Sequence, residues 1–134
     1  MERDNEVSIN NLSHEVIGSC IDVHKVLGPG MLESVYLDLL CFDLDLKGIA
    51  YEREKELSLI YKGRNFNTIL RADLVVENSL IVELKSVQEM HPIYEAQIMT
   101  YMKLTNIEVG LLINFNVPIL KDGIHRYRLN HGRT

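Results

Sequence analysis

Arg71-Ala72-Asp73-Leu74-Val75-Val76-Glu77-Asn78-Ser79-Leu80-Ile81-Val82-Glu83-Leu84-Lys85 is the stretch on which the fold of this 134-residue chain turns. Two apolar, β-branched runs flank Glu77-Asn78-Ser79, a turn signal between strands. A three-residue loop about Asn78 sets Val76 opposite Leu80, Leu74 opposite Val82, Asp73 opposite Glu83 and Arg71 opposite Lys85. Side chains alternate along a strand, and paired residues share a face. One face then carries Ala72, Leu74, Val76, Leu80, Val82 and Leu84, without a charge, and must pack on a helix. The other carries Arg71, Asp73, Val75, Ile81, Glu83 and Lys85. Directly opposed Cβ atoms stand ~4.5–5.5 Å apart, where like charges repel. Asp73 beside Glu83 therefore calls for positive charge between them. Lys85 and Arg71 supply part of it. A hard divalent cation supplies more, since Mg²⁺ takes carboxylate oxygens at ~2.0–2.1 Å and keeps waters for a phosphate. Lys85, on the same face, is suited to orient or deprotonate a water or to stabilise charge on a phosphate. Mixed-charge hairpin faces are most often merely solvated, but Glu83-Leu84-Lys85 is the only Glu-x-Lys of the chain.

Toward the N-terminus, Leu12, Val16, Cys20 and Leu27 recur at helical spacing, with Ile17 and Ile21 widening the stripe. Asn10, Asn11 or Ser13 could cap this helix, and Gly28-Pro29-Gly30 stops it. A second helix is expected from about Met31 to Lys47, with Gly48 as its C′ residue. Tyr51–Tyr61 alternates as a strand, Lys62-Gly63-Arg64-Asn65 is a turn, and Ile69–Val76 and Leu80–Val87 form the hairpin. Tyr94 to about Asn106 reads as a third helix. Val109–Phe115 is a continuous apolar run, as for a strand buried on both faces. Lys121-Asp122-Gly123 turns into a last strand, Ile124–Leu129. The outcome is one α/β domain of order ααβββαββ over residues 1–134, with residues 1–10 a loose lead and 130–134 a loose tail.

Composition bounds the function. Hydrophobic residues make up 46% of the chain and charged ones 25%, the balance of a globular protein. A core of this size buries roughly two-thirds of the unfolded surface, so a metal serves chemistry before folding. Cys20 and Cys41 lie in apolar periodic segments and read as buried, reduced thiols. No apolar run nears the ~18 residues of a membrane span, and the polar N-terminus has no signal-like core, so a cytoplasmic location and no membrane partner are expected. A net charge of −5 counts against simple phosphate binding. A carboxylate-held cation reverses the local field. His14, His24, His91, His125 and His131 include no i,i+4 ligand pair and read as structural or exposed, His91 before Pro92 as a loop residue.

Asp73, nine residues, then Glu83-Leu84-Lys85 resembles the signature of the PD-(D/E)XK nuclease superfamily. Gly30-Met31-Leu32-Glu33-Ser34-Val35-Tyr36 resembles that of the GxxExxY proteins, a bacterial and archaeal family placed within it. The likeness runs nearly the length of the chain, through RADLVV (71–76), IVELKSV (81–87), EAQIMTYMKLT (95–105) and GLLINFNVPILKDGI (110–124). Ala72 stands where the superfamily's name has Pro. The resemblance implies a restriction-endonuclease-like domain with a mixed central sheet flanked by helices. It implies Mg²⁺ or Mn²⁺ held by Asp73, Glu83 and Glu33, a backbone carbonyl from Leu84, and Lys85 assisting the attacking water. Gln97-Ile98-Met99-Thr100-Tyr101 resembles the Gln-x-x-x-Tyr motif of RecB-type nucleases. Gln97 and Tyr101, four apart, share a helical face and are expected to bind substrate; so is Tyr36, three residues from Glu33. Without the motif, Tyr101 would read as a core aromatic and Glu33 as a first-turn dipole partner.

Together these imply a metal-dependent nuclease acting on nucleic acid, with DNA favoured over RNA. Two alternatives stand beside it: a nucleic-acid-binding module without turnover, and a protein-interaction domain. A homodimer and a protein partner supplying specificity are both open.

Overall fold

The computed structural model describes residues 2–130, with side chains described for residues 8–66 and 70–130. Helix α1 spans Glu2–Leu27 and buries Val16, Cys20 and Val23. Residues 2–10 contain no Gly or Pro, and the segment expected as a loose lead forms the first turns of this helix instead. Ser13 accordingly caps nothing; its Oγ donates to the Asn10 carbonyl one turn back, at 3.1 Å. The expected tail beyond Asn130 lies outside the described residues. Helix α2 spans Glu33–Leu46 and is followed by Gly48 at φ +71°, the left-handed conformation a C′ glycine supplies.

The strands are β1 (Tyr51–Tyr61), β2 (Arg64–Val76), β3 (Leu80–Lys85), β4 (Val109–Asn114) and β5 (Ile124–Arg128), with α3 (Pro92–Thr105) between β3 and β4. A short 3₁₀ turn, Leu120–Gly123, leads into β5. The order ααβββαββ is as the sequence implies. β2 begins five residues earlier than expected, because the turn before it is tighter. Lys62 and Gly63 take φ of +50° and +81°, two positive values in succession, as a two-residue type I′ hairpin requires. Tyr61 thus pairs directly with Arg64. His91, expected as a loop residue, caps α3: its Nδ1 accepts the Ile93 amide at 3.0 Å.

The sheet order is β1-β2-β3-β4-β5, with β3 and β4 parallel and the other neighbours antiparallel. α3 is the crossover that a parallel pair needs. Helices α1 and α2 cover one face through Val16, Cys20, Tyr36, Leu40 and Leu44, packed on Leu74, Val76, Leu80, Val82 and Leu84. α3 covers the other with Ile98, Tyr101 and Met102 on Val75, Ile81 and Leu112. Gly110 permits this close approach, since a Cβ there would stand 2.8 Å from Met102 Sδ.

Both faces of the central hairpin are therefore packed, where the alternation suggests one apolar and one charged face. The alternation also breaks. Ala72 packs with the α3 cluster, whereas Leu74 packs with α1 and α2. Between them lies Asp73, and opposite it in β1 stands Glu54 at φ +52°. Cys20 and Cys41 are buried free thiols. Among the described residues, no helix is long and apolar enough to cross a membrane.

Candidate active site

The β2–β3 ladder follows the expected register, Val76↔Leu80 and Leu74↔Val82, and ends there. Beyond it, side chains replace the backbone bonds. Glu83 Oε1 accepts the Asp73 amide at 2.9 Å, and Asp73 Oδ2 accepts the Leu84 amide at 2.8 Å. Each carboxylate is thus oriented by the other residue's strand. Glu83 is held further by pairing with Leu112 in β4 and is only 6% exposed, while Asp73 is half-buried. Burial, then the charge of Asp73, pushes the Glu83 carboxyl up to about 8; the Asp73 amide and, more weakly, Lys85 oppose the rise. The nearness of the Asp73 carboxylate thus favours the protonated form of Glu83 while no cation stands between them.

That donor set fits a hard divalent cation. Two converging carboxylates, already oriented by backbone amides, can take up a metal that retains several waters, with loss of the proton favoured on Glu83. Glu33, the third expected ligand, is exposed in the first turn of α2. It does not join them: among the described residues, no three acidic, histidine or cysteine side chains are grouped to hold a metal.

Lys85 ends β3 and is half-buried. Its Nζ lies over the Tyr94 ring, 4.7 Å from the centroid, a contact the sequence did not suggest. Among the described residues, Lys85 makes no ion pair within 4 Å. Arg71 is exposed and pairs with Glu56 across β1, away from Lys85. Tyr101 is 6% exposed within the α3 cluster. Its phenol is pushed up by burial and then by Glu83 and Asp73, while a hydrogen bond with Gln97 lowers it. The Gln97/Tyr101 face therefore borders the carboxylates, with the exposed Gln97 as its outer member.

Tyr36 is fully buried. Its hydroxyl donates to the Gly28 carbonyl at 2.6 Å and accepts the Met31 amide at 3.1 Å, and its ring stacks on Phe115 at 4.3 Å. It anchors the loop that leads to Glu33. Ser86 Oγ donates to the Met31 carbonyl at 2.6 Å, tying that loop to the residue after Lys85.

Asn114 was not singled out by sequence, yet it frames the end of β3. Its Oδ1 accepts the Val87 and Asn116 amides, and its Nδ2 donates to the Val87 carbonyl. A polar residue inside the apolar run VGLLINF was the available signal. An open depression of ≈ 940 Å³ lies at the opposite end of the hairpin, around Glu77–Ser79 and Asn106–Val109, and includes none of these residues.

A family model described as the PD-(D/E)XK nuclease superfamily matches residues 10–127. No curated protein matches the chain. Among solved structures it is similar to one described as "Crystal structure of SSO0001", at 26% identity and a TM-score of 0.44. That match covers 75% of this chain and 53% of the other, so the chain spans about half that protein's length. The mixed sheet and the ααβββαββ order agree with the restriction-endonuclease-like fold that the family match implies. Because the match runs from α1 to β5 and takes in each element that carries the carboxylate pair, this chain belongs to the PD-(D/E)XK nuclease superfamily.

Proposed function

We propose that this protein is a divalent-metal-dependent nuclease that hydrolyses phosphodiester bonds, with DNA as the first substrate to test. The observation that carries the proposal is the reciprocal lock of Asp73 and Glu83, which orients two carboxylates beyond the end of a ladder and leaves Glu83 raised by burial and by its neighbour. A like-charge pair with one buried member destabilises the fold when both are ionised, and such arrangements cluster at functional sites.

In this reading Asp73 and Glu83 hold Mg²⁺ or Mn²⁺, with the Leu84 carbonyl as a further donor. The cation, when bound, supplies Lewis-acid polarisation of a phosphoryl oxygen and acidifies a water. Lys85, released from Tyr94, stabilises negative charge on the phosphate or gives a proton from Nζ to the leaving oxygen. Gln97 hydrogen-bonds substrate from the outer edge, and Tyr101 backs Glu83. Tyr36 acts by anchoring the Gly28–Met31 loop rather than by touching nucleic acid. Glu33 becomes a ligand only if α2 shifts or a water bridges it. The Gly30–Tyr36 motif supports membership of the GxxExxY family.

A binding module without turnover is the second reading, favoured by the separation of Glu33 from the pair. Titration calorimetry with Mn²⁺, paired with a cleavage panel on single- and double-stranded DNA and RNA, separates the two. The proposal expects metal binding and Mn²⁺-dependent cleavage in wild type, both lost in Asp73→Ala. Metal-independent binding without cleavage of any substrate returns the module.

A further inference from the structure

The β1–β2 hairpin extends beyond the body of the sheet, and its charge differs from that of the rest of the chain. Leu57–Ala72 contains Lys62, Arg64 and Arg71 and not one carboxylate, in a protein with 14 Lys and Arg against 19 Asp and Glu. Its tip also exposes large apolar and aromatic side chains. Ile60 and Tyr61 are 63% and 60% exposed, and Phe66 is 37% exposed.

The register arranges these residues. Tyr61 pairs with Arg64 and Leu59 with Phe66, so Tyr61, Arg64, Leu59 and Phe66 share one face of the ribbon. Tyr61 and Phe66 are then diagonal neighbours, within reach of each other's rings. Lys62 Nζ lies 5.4 Å from the Tyr61 centroid, and the Arg64 guanidinium carbon 5.2 Å from that of Phe66. Two adjacent rings with a cation over each form a stacking platform with phosphate-binding charge already beside it. Base–aromatic stacking is worth ~1–3 kcal/mol per base and tolerates any sequence, and each neutralised phosphate adds a salt-dependent increment. A solvated hairpin tip needs neither exposed ring.

We propose that this ribbon is a nucleic-acid arm: Tyr61 and Phe66 stack on unpaired bases while Lys62 and Arg64 take neighbouring phosphates. The proposal rests on the nuclease reading for its substrate and deepens it by supplying a binding surface the carboxylates lack. Arg64 and Asp73 lie on the same strand, nine residues apart, about 30 Å at ~3.4 Å per residue. A strand cut at the carboxylates reaches the arm if it continues, unpaired, for about 30 Å beyond the cut.

The test is fluorescence anisotropy with the whole protein in EDTA, using a labelled single strand of ~30 nucleotides and a blunt duplex of ~30 base pairs. The variants are Lys62→Ser/Arg64→Ser and Tyr61→Leu/Phe66→Leu, with Tyr61→Leu alone as the milder change. The charge variant is expected to weaken binding to both probes and to flatten the slope of log affinity against log salt by about 1.5–2. The leucine variants are expected to weaken single-strand binding about tenfold, leaving the slope and the duplex affinity unchanged. Single-strand affinity equal to wild type in both double variants overturns the arm and assigns the tip to a protein partner. So does a wild type that binds neither probe. Binding in EDTA involves neither metal nor turnover, so the two proposals fail separately. Ribbon-dependent binding without Mn²⁺-dependent cleavage removes the nuclease reading alone. Cleavage and binding untouched by the ribbon variants remove the arm alone.

Discussion

At Glu83 stability and function pull in opposite directions. Its carboxyl is pushed up to about 8 by burial and by Asp73, so the metal-free folded state holds a proton that the unfolded chain releases near the ordinary glutamate value of ~4.3. A raised acid stabilises the fold below the unfolded value, and that contribution is lost as pH rises through the folded one. The metal-free protein should therefore lose thermal stability between about pH 4.5 and 8. Glu83→Gln, which stays neutral, should flatten that dependence; differential scanning fluorimetry across the range checks it, and an equally steep mutant would show that another group titrates. Asp73 follows the same logic. Asp73→Ala relieves a like-charge pair but also removes the acceptor of the Leu84 amide, so metal-free stability should change by no more than about 1–2 kcal/mol. Mn²⁺ binding should vanish. A loss of several kcal/mol with metal affinity intact would make Asp73 a structural residue.

Among the elements, the β2–β3 hairpin was legible because its register follows from loop length and apolar alternation, both local. What surrounds it was not. The start of β2 at Arg64 depends on Lys62 accepting a positive φ, which no propensity suggests for lysine. The break in alternation at Asp73 depends on Glu54, nineteen residues away in β1, at φ +52°. Glu33 and Tyr36 are neighbours on one helix, yet one is exposed and the other fully buried; the Gly28–Met31 loop that sets this geometry is held by long-range contacts. Asn114 shows the same dependence on distant partners. With two bonds to Val87 after β3 and one to Asn116 after β4, Asn114→Ala should cost about 2–3 kcal/mol through orphaned part-buried groups. It should also lower cleavage, since Val87 lies two residues beyond Lys85. Chemical denaturation and single-turnover cleavage test both effects; lost stability with unchanged single-turnover rate would uncouple Asn114 from the site.

Over the whole molecule, the net charge of −5 is distributed unevenly: carboxylates at the open end of the hairpin, cations and rings on the β1–β2 arm. A bound divalent ion at the first and phosphate contacts at the second would reconcile an acidic chain with a nucleic-acid substrate. Metal should also stabilise the fold by mass action, about 2.7 kcal/mol at a hundredfold excess over Kd, and only while Asp73 and Glu83 are both present. The central claim, turnover, rests on Lys85, which cannot be a ligand while protonated; its cation lies over Tyr94 and, among the described residues, makes no ion pair within 4 Å. In the proposed nuclease its value to the protein lies in the reaction. The direct measurement is single-turnover cleavage of labelled DNA and RNA with Mn²⁺, comparing highly purified wild type with Lys85→Ala prepared in parallel. A nuclease keeps or gains Mn²⁺ affinity in the mutant, because a competing charge is gone, and loses cleavage roughly 10²–10⁴-fold, the span of general acid–base groups. Identical background rates in wild type and mutant on every substrate would contradict the account.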